Sequence, residues 1–230
     1  MIQVEGIFSG GSAISAPIIG KDFNWTGGDG TYQVIDDGGG NWRIKFLSSG
    51  TFTPLKDMVI DAFLVGGGGA SAGNYCGYGG AGYTTTVRSV VVAANTAYPI
   101  VVGAAGTQTY TVQSDGGTLS AFSAVANGGH HSVSGDKTWK KTGANGGSGG
   151  GGQYADGGTD GGDGTTATTA GGKGQGTTTR EFGETDGDLY ASGGGDNLTA
   201  TVPNSGNGGA YNVEPADGIV VIRQHKEVAA

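Results

Sequence analysis

The sequence predicts an all-β fold: an antiparallel β-sandwich of jelly-roll type, with glycine-rich segments packed on it as polyglycine II-type helices. Three observations carry this. Short apolar, β-branched runs such as "DMVIDAFLV", "RSVVVAANTAYPIVVG" and "DGIVVIRQ" have the length and composition of strands. No segment shows the 3.6-residue period of an amphipathic helix. The connections are dominated by glycine, with 52 Gly and only 5 Pro in 230 residues, against about 7% Gly in average chains. Collagen would need Gly at every third position throughout and abundant Pro, so a triple helix is excluded. The apolar runs exclude general disorder.

Taken in order, "GTYQVID" (30–36) and "NWRIKFLSSGTFT" (41–53) alternate with period two, as half-buried antiparallel strands do, and "DDGGGN" between them is turn chemistry. "MVIDAFLV" (58–65) is apolar enough to be covered on both faces. "GYTTTVRSVVVA" (82–93), "AYPIVVG" (97–103), "GTQTYTVQS" (106–114) and "GTLSAFSAVA" (117–126) follow as strands, and "DGIVVIRQ" (217–224) closes the ordered chain. About eight strands joined by Gly-rich connections make a sandwich. The last strand is expected to return beside an early one, because an unpaired apolar edge invites aggregation.

Between 127 and 212 strand patterns give way to glycine clusters, and a plain loop of that length is foreign to a compact domain. Gly146, Gly149, Gly152, Gly158, Gly161 and Gly164 share one three-residue register, and the step recurs at Gly66 and Gly69, Gly79 and Gly82, and Gly206 and Gly209. Three is the period of the left-handed extended helix. With glycine inward, such helices approach closely enough to hydrogen-bond through their backbones, which satisfies buried N–H and C=O groups. Aromatic residues punctuate the clusters, as a flexible linker would not require.

Twelve Lys and Arg against twenty Asp and Glu give a net charge of −8 with no basic stripe, so nucleic acid is not an expected partner. Cys76 has no second cysteine to pair with and is either a small buried hydrophobe or a free thiol. "MIQVEGIFSGG" has no basic-led apolar stretch, and no segment approaches the ~20 apolar residues of a membrane span, so neither a classical signal peptide nor membrane insertion is expected.

The ordered string "NWRIKFLSSGTFTP", "VIDAFLVGGGGASAG", "GYGGAGYTTT", "YPIVVGAAG", a long Gly-rich stretch and "DGIVVIRQ" resembles the glycine-rich domain of bacteriophage tail-fibre and related virion proteins, over roughly residues 42–224. More remotely it is similar to the adhesins at the tips of T-even-type long tail fibres. The resemblance implies a virion protein made in the host cytoplasm, with a β-rich core under packed polyglycine helices. It would act without catalysis or cofactor, as an appendage that touches a host glycan or surface protein. Its partners would be other virion proteins and copies of itself, a trimer being one arrangement. Residues 1–41 are then an N-terminal β segment, a candidate virion-attachment piece, and 42–226 the glycine-rich domain with its insertion at 127–212. A purely structural capsid or tail component is the alternative.

Receptor specificity is expected between the glycine clusters, since glycine offers only backbone. "HHSVSGDKTWKKTGAN" (130–145) gathers Trp139, Lys137, Lys140 and Lys141 in an acidic chain, a surface suited to sugar stacking or cation–aromatic contact. Tyr154, and Arg180, Phe182 and Tyr190 in "TTTREFGETDGDLYAS" (177–192), complete the candidates. The competing reading has Trp139 capping the core and the second segment packed on its own aromatics.

Chemistry is less visible. His130 and His131 are adjacent, so on an extended chain they point to opposite faces and are not expected to chelate one ion together. His225 is expected in a solvated tail. No nucleophile-elbow motif sits between a strand and a helix, although a Ser/His/Asp triad is recognised only by geometry. "GGTDGGDG" (157–164) lacks the tandem recurrence of calcium-binding repeats, so Asp160 and Asp163 read as turn residues and no metal is expected.

Overall fold

The computed structural model describes residues 16–72, 77–109, 112–132, 143–151, 180–195 and 199–225. Among these residues the fold is nearly all β. Two five-stranded antiparallel sheets are arranged as in a sandwich. In chain order the strands are β1 (Phe23–Trp25), β2 (Tyr32–Gly38), β3 (Asn41–Phe46), β4 (Gly50–Pro54), β5 (Met58–Val65), β6 (Thr84–Val92), β7 (Tyr98–Val101), β8 (Leu119–Ala121), β9 (Ala124–Ala126) and β10 (Ile219–Gln224). The first sheet runs β1-β4-β7-β8-β9 and the second β2-β3-β10-β5-β6.

Alternation decides which side chains enter the core. In β3, Trp42, Ile44 and Phe46 turn inward, and in β4 Phe52 does. They meet Phe23 and Trp25 from β1, with ring centroids 4.6 Å apart for Trp25–Phe46 and 5.7 Å for both Phe23–Phe52 and Phe46–Phe52. Strands β5 and β10 are buried on both faces. Ile60, Ala62, Leu64, Val220 and Ile222 face the other sheet, while Phe63, Val65, Ile219 and Val221 join a second core outside.

The closing strand does return: β10 lies between β3 and β5, antiparallel to both. Other expectations are refined. The run 41–53 is two strands on different sheets, parting at Leu47–Ser49. The run 117–126 is a tight hairpin with Phe122 and Ser123 at φ 51° and 61°, the left-handed pair that a two-residue turn demands. Within 106–114 the described residues carry only the bridge Gln108–Gln113. Strands β1 and β2 precede position 42, yet they pair with β4 and β3, so both sheets run across the 41/42 boundary drawn from sequence.

A glycine layer lies against this sandwich, and its backbone donors rotate in threes. Gly66 and Gly69 donate to Tyr83 and Gly80, Gly67 and Ala70 to Gly117 and Ser114, and Gly68 to Ala216, at 2.8–3.1 Å. The next segment repeats the scheme. Tyr78 and Ala81 donate to Gly151 and Ser148, Gly79 and Gly82 to Gly209 and Gly206, and Gly80 and Tyr83 to His130 and Asn127, all at 2.9 Å. Each extended segment therefore serves three neighbours in turn. A β-ladder, with period two, serves neighbours only in the plane of the sheet.

Candidate functional site

The outer face of the second sheet carries a row of charges where an apolar surface would be ordinary. Asp61 stands in the middle of "VIDAFLV", opposite Arg223 of β10, which in turn stands opposite Arg43 of β3. Residues 180–190 lie over this row. Arg43 bonds Asp37 at 2.8 Å and the buried Glu181 at 2.7 Å. Lys45 bonds Asp188 at 3.0 Å and the Tyr190 hydroxyl at 2.9 Å. Arg223 meets Glu184 at 2.5 Å and stacks on Phe182 with its guanidinium carbon 4.1 Å from the ring centroid. Burial, then the neighbouring Glu181 carboxylate, pushes the Tyr190 hydroxyl up to about 12.

Asp61 is fully buried at a break in the β5–β6 register, where Ile60 pairs Val90 but Ala62 pairs Val87. Its Oδ1 accepts the Ser89 amide at 3.1 Å and lies 2.6 Å from His225 Nδ1; its Oδ2 accepts Arg223 Nε at 3.2 Å and Arg88 Nη1 at 3.3 Å. Burial alone would raise this carboxyl, yet the bonds from His225, Ser89 and Arg223 hold it below its ordinary range. Asp188, bonded by Lys45, and Asp22, bonded by Lys56, are lowered as well.

These shifts fix the sign of the acid response. A carboxyl whose folded pKa is depressed binds fewer protons folded than unfolded, so its stabilisation is present above the ordinary Asp value of 3.8 and is lost as pH falls through the folded one. The urea midpoint is expected to respond little to these groups between pH 7 and pH 5 and to drop below about pH 4. A midpoint rising on acidification over that range would contradict the assignment.

The sequence-derived candidates divide. Phe182 and Tyr190 do not face a receptor: they are 3% and 7% exposed and pack on Phe63, with centroids 6.0 and 5.6 Å away. Apolar rings beside an apolar sheet face are drawn onto it. Arg180 donates to the Gly187 carbonyl at 3.2 Å and helps close this excursion. Trp139, Lys137, Lys140, Lys141, Tyr154, Cys76, Asp160 and Asp163 lie outside the described residues. His130 and His131 do not diverge as expected, since both rings reach Asp115, at 3.1 and 2.5 Å. No group of three or more His, Cys, Asp or Glu is placed to hold a metal among the described residues. His225 is tied to Asp61, not held in a solvated tail, because its backbone extends the β10 ladder to Val59 O and strand alternation keeps it on the face of Arg223.

Two clefts flank residues 180–190. One of about 240 Å³ is lined by Asp37, Trp42, Arg43 and Glu184; the other, of about 390 Å³, lies between Lys45, Leu189, Tyr190 and Val202. A family model described as a glycine-rich domain matches residues 47–223. The chain belongs to the glycine-rich domain family. No curated protein matches it. The matched span of the glycine-rich domain runs from the end of β3 into β10, and so contains the glycine layer, Asp61 and the covering segment 180–190.

Proposed function

We propose that this glycine-rich domain is a host-contacting module of a bacteriophage virion, of the tail-fibre adhesin type, which binds the host surface without any enzymatic step and is displayed on the particle after synthesis in the host cytoplasm. The period-three exchange of backbone hydrogen bonds carries the reading. It is the arrangement expected of polyglycine II-type helices, which make a rigid layer without spending side chains. Such a layer presents the segments between its glycines from fixed ends. Ser132 and Ala144, on either side of Trp139, Lys137, Lys140 and Lys141, are both hydrogen-bonded into it, to Ala70 and Tyr78; Gly151, shortly before Tyr154, bonds Gly194. Those side chains would engage a surface glycan or protein, with no cofactor and no nucleic acid.

Val59 and Val91 favour a second reading, packing against other virion subunits or further copies of the chain. They stand directly opposite each other on the second sheet, 41% and 71% exposed, next to its β6 edge.

Binding of the purified chain to whole bacterial cells tests the first reading. Trp139→Ala, and replacement of 133–142 by a Gly/Ser linker that leaves both anchors in place, are expected to abolish saturable binding while melting temperature is retained. A folded wild-type chain that binds no cell of a broad host panel would refute the adhesin reading and leave the packing one.

A further inference from the structure

We propose that Ser89 is a nucleophile activated by His225 and Asp61, able to accept the acyl group of a small ester. The proposal is independent of host contact and goes beyond it. Ser89 Oγ lies 3.1 Å from His225 Nε2, and His225 Nδ1 lies 2.6 Å from Asp61 Oδ1. Both separations are within the reach of a nucleophile, base and orienting acid. Ser89 comes from β6, His225 from the position just after β10 and Asp61 from β5, so only the folded sheet assembles them.

Exposure is graded along the group. Ser89 is open to solvent, the His225 side chain is 21% exposed, and Asp61 is fully buried. A carboxylate at Nδ1 fixes the tautomer: the Nδ1 proton is donated to Asp61, and the Nε2 lone pair is left for the Ser89 hydroxyl proton. The nucleophile is also conformationally constrained. At φ 56° Ser89 is a non-glycine residue in the left-handed region, at the register break facing Asp61, held there by its own amide bond to Oδ1.

Burial of Asp61 does not by itself account for this geometry. The Ser89 amide, Arg223 and Arg88 already supply donors to both of its oxygens. The imidazole and the hydroxyl are additional, and they lie in order.

In the reaction, Oγ attacks the ester carbonyl carbon and its proton passes to His225 Nε2. Collapse of the tetrahedral adduct breaks the acyl C–O bond, and the leaving alcohol takes that proton. Water then attacks the acyl-serine, gives a proton to the same nitrogen, and releases the acid with Ser89 restored. The Ser89 amide is committed to Asp61, and the Arg88 guanidinium to Asp61 and the Phe182 carbonyl, so neither stabilises the oxyanion. Acylation by reactive esters is therefore the expected activity, with slow turnover.

The test is covalent labelling of the intact chain with a small fluorophosphonate, which needs no turnover, followed by intact mass and peptide mapping. One adduct is expected, at Ser89, absent in Ser89→Ala and formed at least about 100-fold more slowly in His225→Gln, with each variant shown to be folded by a cooperative thermal melt. p-Nitrophenyl acetate is expected to acetylate the same serine. Failure of the folded wild type to label at Ser89, or labelling of His225→Gln at the wild-type rate, would overturn the proposal and reduce the group to a hydrogen-bond chain. Cell binding by Ser89→Ala is expected to be unchanged, which keeps this result separate from the adhesin test.

Discussion

Gly80→Ala is expected to destabilise the protein by about 3 kcal/mol or more, lowering its melting temperature by roughly 6 to 12 °C. The cause is space, not backbone conformation. A Cβ on Gly80 would overlap the Asn145 carbonyl oxygen, and would lie 2.5 Å from the carbonyl carbon and 3.0 Å from Gly146 N. All three are backbone atoms, so no rotamer change relieves the clash. The segment at 144–147 cannot simply retreat. The Asn145 carbonyl accepts from His130, Ala144 N donates to Tyr78, and Gly147 N donates to Ala81, each at 2.9 Å. Moving it breaks bonds to two neighbouring segments at once, and buried groups left unpaired cost about 1–3 kcal/mol each. Gly30→Ala is the control. Gly30 has φ +76° but nothing within 4 Å of its would-be Cβ, so the substitution meets only conformational strain of about 1–2 kcal/mol. Thermal melts of the two variants separate the effects. A Gly80→Ala protein as stable as Gly30→Ala would mean that the layer yields, and that its glycines are not there for close approach.

The same contrast shows which parts of the fold a sequence can reveal. Strand β5 was legible to the residue, because eight consecutive residues of strand composition leave little choice. The three-residue glycine steps 66/69 and 79/82 coincide with pairs of amides that donate to one neighbouring segment each, 80–83 and 206–209. What was not legible depends on partners. Nothing in "FNW" marks a strand, and β1 exists because β4 pairs with it and Phe23 and Trp25 fill the core. The division of 41–53 between two sheets is likewise a tertiary event. At the site, Phe182 and Tyr190 were visible as aromatics, but not the Phe63 face that claims them. One warning was in plain sight: an Asp inside "VIDAFLV" and an Arg inside "IVVIRQ" are charges in strands otherwise fit for burial, and such charges are paired when buried.

That pairing sets the second large effect. Asp61→Asn, although nearly isosteric, is expected to cost about 3–5 kcal/mol. Four donors converge on the carboxylate: the Ser89 amide and His225 on Oδ1, Arg223 and Arg88 on Oδ2. An amide offers one acceptor oxygen and turns two N–H groups toward donors, so two of the four face a group that cannot accept. Arg223, 4% exposed, keeps Glu184 but loses its buried counter-charge. Urea unfolding at pH 7 measures the loss. The cost should also depend on pH in a way that a packing defect would not. Wild-type Asp61 loses its advantage as it becomes protonated, so the wild-type and variant midpoints should converge as pH falls below about 4 and stay apart above it. Arg223→Met on the Asp61→Asn background should cost less than it does alone, because the arginine has already lost its partner. Parallel pH profiles, or additive losses in the double variant, would show that Asp61 acts through shape and not through charge.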